Sequence, residues 1–201
     1  MHNVLQGSSD IRRALERVGE LLDAAGEMYA IIIVGGAAMN LRNVVSRATT
    51  DVDVIAFATR RAGSWRPIEA PPQLPAPLAL AVTTVARDLN LVPDWLNTGP
   101  RQQWKFGLAH GFAARVRWRR YGGLHVGTAG RADLIALKLF AATDADGPAA
   151  GRHTNDLQAL RPTDRELATA ARWVKQQDAG ALFPQHVDQV VERVRARRAQ
   201  R

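Results

Sequence analysis

Two aspartates spaced two apart, Asp51 and Asp53, open an apolar run that ends at Phe57. On an extended strand such residues share a face, so both carboxylates point one way while Val52 and Val54 can enter a core. Their charges then lie about 6 to 7 Å apart and repel by roughly 2 to 3 kcal/mol at an effective dielectric of about 20. Solvent at an exposed strand end could offset this, as could an arginine. A divalent metal, with its preference for hard oxygen ligands, offsets it best. Upstream, the β-favouring run Tyr29 to Val34 ends in Gly35-Gly36, which predicts two strands joined by a glycine-led connection. A short helix is expected from Ala37 to Leu41, with free N–H groups near the glycines that favour phosphate. The alternative is a surface hairpin with a solvated acidic end.

A second set of chemistry-bearing residues lies later in the chain. Residues 131 to 142 predict a helix that is apolar nearly all round, and Lys138 is in its middle. With 24 arginines and 3 lysines in the sequence, a lysine between Leu137 and Leu139 places a compact ammonium where a guanidinium is the usual choice. Burying that charge unpaired would cost several kcal/mol. Lys138 is therefore expected to reach phosphates or a carboxylate such as Asp51 or Asp53, the simpler alternative being a lysine that snorkels to the surface. Asp156 and His153 follow a loop expected over Thr143 to Gly151, and a lone histidine is more often structural than functional. Residues 112 to 121 alternate, with Phe112, Ala114, Val116 and Trp118 against Arg115, Arg117 and Arg119. This predicts a strand whose arginine row is either a charged edge or a platform for phosphates.

Gly35-Gly36, a short segment, then Arg47-x-Thr49-x-Asp51-Val52-Asp53 leading into an apolar strand resembles the signature of the polymerase-β-like nucleotidyltransferase superfamily. The later run through Leu134, Lys138-Leu139 and Ala141, then Arg152-x-x-x-Asp156-Leu157-x-x-Leu160, is similar to AbiEii-type toxin nucleotidyltransferases and their small uncharacterised bacterial relatives. The likeness spans roughly residues 28 to 178. It implies an α+β fold with a mixed central sheet flanked by helices and a helical C-terminal part. The nucleotidyltransferase core would cover 1–130, and the helical part, 131–201, would pack on it as one compact unit.

The resemblance also implies roles. Asp51 and Asp53 would hold Mg2+, with Asp94 the candidate for a third carboxylate. Gly35, Gly36, Arg47, Thr49 and Lys138 would hold a nucleoside triphosphate. Asp51, Asp53, Lys138 and Asp156 would be catalytic, Asp156 orienting or deprotonating the acceptor hydroxyl. Membership would further imply a bacterial toxin of a toxin–antitoxin or phage-defence module, with tRNA or another RNA as acceptor and a cognate antitoxin as partner. A dinucleotide-binding fold is excluded, because Gly-x-Gly-x-x-Gly is needed and the chain continues Gly35-Gly36-Ala37-Ala38.

Other elements must position these residues. A helix over 10 to 25 is expected, with Asp10 as N-cap, Ile11, Leu15, Val18 and Leu22 as an apolar stripe and Gly26 as its stop. Five of the ten prolines fall within 60 to 77, which predicts a loop, a candidate flap over the site. A helix is expected over Leu78 to Leu89. Asp94, preceded by Pro93, could equally cap a helix. Gly122-Gly123 predicts a hairpin turn into Leu124 to Thr128. Thr163 and Glu166 form a capping-box pattern, and Phe183, Val187, Val190, Val191 and Val194 suggest a last amphipathic helix.

Length and composition narrow the classes. The chain has 201 residues and 46% apolar content, enough for one sizeable core with an appended helical part. No run is long enough for a membrane span, no signal-peptide pattern opens the chain, and cysteine is absent, so a cytoplasmic setting is expected. Half of the +8 charge comes from the last twelve residues, where Arg193, Arg195, Arg197, Arg198 and Arg201 outnumber Glu192. That tail is either a solvated helix end or an anion-binding segment. The rival to an enzyme is a binding module on the same fold that has lost activity and uses its basic surface for a partner protein or RNA.

Overall fold

The computed structural model describes residues 2–145, 147–178 and 180–199. Residues up to Ala129 form one compact unit and those from Gly130 a second. The first contains β1 (Leu5–Gln6), α1 (Ser8–Ala24), β2 (Tyr29–Val34), α2 (Gly35–Leu41), β3 (Ala48–Thr49), β4 (Val52–Arg61), β5 (Ser64–Glu69), α3 (Ala76–Leu89), β6 (Leu96–Asn97), a 3-10 turn (Gly99–Gln102), α4 (Gln103–Phe106), α5 (Phe112–Arg115), β7 (Arg117–Tyr121) and β8 (Leu124–Thr128).

The main sheet runs β5-β4-β2-β8-β7, with β6 beside the start of β4. It is mixed: β2 is antiparallel to β4 and parallel to β8, and β6 is parallel to β4. The central strand β2 buries Ile31, Ile32 and Ile33 completely. A strand covered on both faces needs apolar side chains at every position, which is why this stretch reads as a continuous run and not an alternation. Helix α1 buries Ile11, Ala14, Leu15, Val18 and Leu22 as one stripe. Its N-cap is Gly7, not the expected Asp10. The aspartate lies in the first turn and its Oδ2 accepts the Gln6 N–H at 2.9 Å.

Two further expectations for this unit are corrected. The proline-rich stretch 60 to 77 is not all loop: β4 continues to Arg61, turns through Ala62 and Gly63 (φ 46° and 78°), and returns as β5. Pro67 is tolerated because β5 is an edge strand, where a missing N–H costs no ladder bond. Only residues 70–75 are irregular before α3. The alternating stretch 112 to 121 is likewise not one strand. Phe112–Arg115 is a helical turn with Phe112 buried, and the strand begins at Arg117. Arg115 donates from Nη1 to the His110 carbonyl at 2.8 Å, so it leaves the row formed by Arg117 and Arg119.

The second unit holds α6 (Arg131–Asp144), α7 (Gly147–Ala159), α8 (Asp164–Val174) and α9 (Phe183–Ala199). The expected loop over Thr143 to Gly151 is mostly helix, since α6 ends at Asp144 and α7 begins at Gly147; residue 146 lies outside the described residues. Alanines 149 and 150 favour that early start. The capping box forms as expected: Glu166 N–H donates to Thr163 Oγ1 at 3.2 Å and Thr163 N–H to Glu166 Oε2 at 2.8 Å. Leu134, Leu139, Leu157, Leu160, Leu167 and Val187 build this unit's core. The basic end of α9 is tied down in part, with Arg195 and Arg198 bonding Asp164 at 3.3 and 2.8 Å; Arg201 lies outside the described residues. Among the described residues no helix is long and apolar enough to cross a membrane.

Candidate functional site

Strand β2 ends with Val34 in register with Asp53 of β4. The chain leaves through Gly35, whose φ of +68° is left-handed and strained for other residues. The Asp53 carboxylate fills the space above it: a Cβ on Gly35 would collide with Asp53 Oδ2. Next door, a Cβ on Gly36 would lie 3.2 Å from both Arg47 Nη2 and Thr49 Oγ1. The diglycine therefore gives the aspartate, the arginine and the threonine room to approach the backbone. Thr49 Oγ1 donates to Asp51 Oδ1 at 3.2 Å, and Thr50 Oγ1 lies 3.5 Å from the other carboxylate oxygen. Asp51 and Asp53 are half-buried, whereas Val52 and Val54 are wholly buried, which puts the acids opposite the core as the spacing required. Six residues singled out in the sequence, Gly35, Gly36, Arg47, Thr49, Asp51 and Asp53, thus share one corner.

A residue absent from that reading holds the corner together. Asn40 is 1% exposed; its amide donates to the Gly36 and Arg47 carbonyls at 3.1 Å each, and its oxygen accepts the Arg47 N–H at 3.2 Å. Two of these bonds staple α2 to the segment that carries Arg47 and Thr49, and the third runs back along the helix to Gly36. Losing them would leave buried polar groups unmet. A polar residue in the run Ala37-Ala38-Met39-Asn40-Leu41 was the available signal.

The corner fits a hard divalent cation with two carboxylates. Magnesium is commonly held by one or two carboxylates, with waters and substrate phosphates filling its other positions. Among the described residues no group of three or more His, Cys, Asp or Glu side chains is arranged to hold a metal. Asp94 is exposed at a turn two residues before β6, and it caps no helix. The position beside Asp53 on the neighbouring strand belongs to Asn97. In a parallel pair, residues in register point to the same face, so an amide stands where a third carboxylate would be sought. Asn97 Oδ1 also accepts the Gly99 N–H at 2.9 Å.

In the second unit, Lys138 on α6 and Asp156 on α7 form an ion pair of 2.7 Å, and both are buried. The carboxylate that meets the lysine is thus Asp156. Asp133, on the first turn of α6, is buried as well. His153 is half-buried one turn before Asp156 on α7.

A family described as nucleotidyltransferase of unknown function (DUF6036) matches residues 10–149. The matched segment takes in the whole diglycine and Asp-Val-Asp corner together with α6, and the chain belongs to this family. No curated protein and no solved structure matches it.

Proposed function

We propose, from membership of that nucleotidyltransferase family, that the chain moves a nucleotidyl group from a nucleoside triphosphate to an acceptor hydroxyl, with Mg2+ as its metal. The observation that carries the reading is the corner itself: the Asp53 carboxylate, the Arg47 guanidinium and the Thr49 hydroxyl packed against a diglycine, with Asp51 bonded to that hydroxyl. Asp51 and Asp53 would hold the ion, which supplies charge neutralisation on the triphosphate and pyrophosphate. Arg47 would take phosphate oxygens through its forked donors, and Thr49 keeps Asp51 oriented. In the transfer, the acceptor oxygen forms a bond to the α-phosphorus, the bond to the bridging oxygen breaks, and pyrophosphate leaves with that electron pair. The hydroxyl proton passes to a base, the role assigned by resemblance to Asp156. Lys138 is assigned to phosphate in the same way. The resemblance further points to tRNA or another RNA as acceptor and to a toxin held in check by an antitoxin.

A second reading has one observation in its favour. With Asn97 beside Asp53 and no three-acid group among the described residues, the fold could serve as an inactive module that binds a partner protein or RNA. Incubation with each labelled triphosphate, Mg2+ and total RNA separates the two. Label transfer that is lost in Asp53→Asn and kept in Arg197→Ala supports the enzyme; RNA retention without transfer supports the module.

A further inference from the structure

The far end of β4 carries a different kind of surface. There the β4–β5 hairpin lays Trp65 on Trp118 of β7, with ring centroids 5.2 Å apart and planes inclined by 30°. The same indole lies 4.9 Å from the His125 ring of β8. Trp118 reaches this position because its partner on β8 is Gly127, where a Cβ would come within 3.2 Å of the ring. The Arg60 guanidinium stands 6.0 Å from the Trp65 ring centre. His125 titrates below the ordinary imidazole value, first through burial and then through the positive charges of Arg120 and Arg60, so both arginines bear on this cluster. A groove of about 420 Å³ opens beside the stack, lined by Trp65, Arg66, Val116 and Trp118 among others.

Packing accounts for the two indoles meeting. It does not account for the exposed guanidiniums of Arg60, Arg66 and Arg120 beside them, whose like charges repel one another. Of these, Arg120 has an acid in reach, Asp23 at 4.0 Å. Half-exposed aromatic rings interleaved with arginines suit a ligand that alternates flat rings with negative charges, because bases stack on indole and phosphates take guanidinium. Length adds a further constraint. From Asp53 to Arg60 is seven residues of strand, about 23 Å at 3.3 Å per residue, so a ligand touching both ends of β4 is a chain of nucleotides and not a single one.

We propose that the Trp65–Trp118 face binds single-stranded nucleic acid, with bases in the groove and phosphates on Arg60 and Arg66. Its use in selecting a polynucleotide acceptor rests on the transfer reading above; the binding itself does not. The test is fluorescence anisotropy of the full chain with a labelled ten-nucleotide single-stranded RNA, without triphosphate or Mg2+, against the matching duplex and heparin as competitors. Binding that prefers the single strand, weakens about tenfold in Trp65→Leu and is kept in Trp65→Phe is expected, one lost base stack being of that size. The exposed pair Arg60→Ala and Arg66→Ala should flatten the salt dependence by a little over one unit of slope. Absence of single-strand binding, or equal capture of duplex and heparin, overturns the inference. So does unchanged binding in the double arginine variant, which decides the matter should Trp65→Leu fail to fold. Label transfer to a protein or small molecule, with the oligonucleotide unbound, would overturn this inference and leave the transfer reading standing.

Discussion

The Lys138 ammonium lies 2.7 Å from Asp156 Oδ2, with the two side chains only 9% and 4% exposed. At that depth each charge is stabilised by the other, and removing either takes the ion-pair partner from a charge in a poorly solvated interior. Lys138→Met and Asp156→Asn are each expected to cost about 3 to 5 kcal/mol, whereas the double change to Met and Leu should recover much of it. Urea unfolding of the three variants measures this. Transfer activity in a double variant that is folded and stable would show that the pair serves α6 and α7 alone.

Gly35→Ala is expected to impair the corner from two directions. The left-handed backbone resists a side chain by more than about 1 kcal/mol, and the new methyl group displaces the Asp53 carboxylate. Thermal unfolding should therefore show a modest loss of stability, while triphosphate-dependent transfer falls to background. Gly26→Ala also changes a glycine of positive φ but meets no neighbouring atom, so it should show the backbone penalty with transfer intact.

Asn97→Asp would place a third acid beside Asp53. Adjacent strands lie about 4.8 Å apart, and two carboxylates at that distance repel by roughly 3 kcal/mol at an effective dielectric of about 20. The variant should melt lower than the parent in chelator and regain stability on adding Mg2+ or Mn2+. Differential scanning fluorimetry across a metal titration reads both effects, and a variant indifferent to metal would argue against Asp53 as a ligand.

The second unit should weaken in acid through Glu166. Arg131 bonds its two carboxylate oxygens at 2.8 and 3.2 Å and, with partial burial opposing and the Thr163 N–H assisting, holds this carboxyl below its usual value. The unfolded chain then takes up the proton first as pH falls. The stabilisation is complete above the ordinary glutamate value and is lost as pH drops toward the lower folded one. Glu166→Gln should flatten the acid limb of the stability profile. Thr163→Ala should instead cost about 1 kcal/mol with the limb retained, both followed by circular dichroism across pH.

Much of this was legible in residue order because it is local. The apolar run at 29–34, the stripe of α1, the Thr163 capping box and the Asp-Val-Asp alternation each follow from the sequence of one element, and the family match agrees with the resemblance carried by the diglycine and the Asp-Val-Asp motif. The α+β arrangement with a mixed sheet was implied by the resemblance and not by any one period. What escaped depends on contacts distant in sequence. Asn40 gains its meaning from a loop seven residues on, and Asn97 from a strand more than forty residues earlier. Trp65 was hidden because prolines near it read as loop, although Pro67 is compatible with the outermost strand. The alternation at 112 to 121 misled for the opposite reason, since a period of two also fits a short helical turn that runs into a strand.

The proline in β5 has one more effect. An outer strand with all its amides intact offers a second molecule a place to add on and begin an open-ended stack. By withholding one donor at residue 67, next to the positive charge of Arg66, the chain makes that addition imperfect. Replacing Pro67 with a β-branched residue should leave the monomer folded and make concentrated solutions prone to fibrillar association.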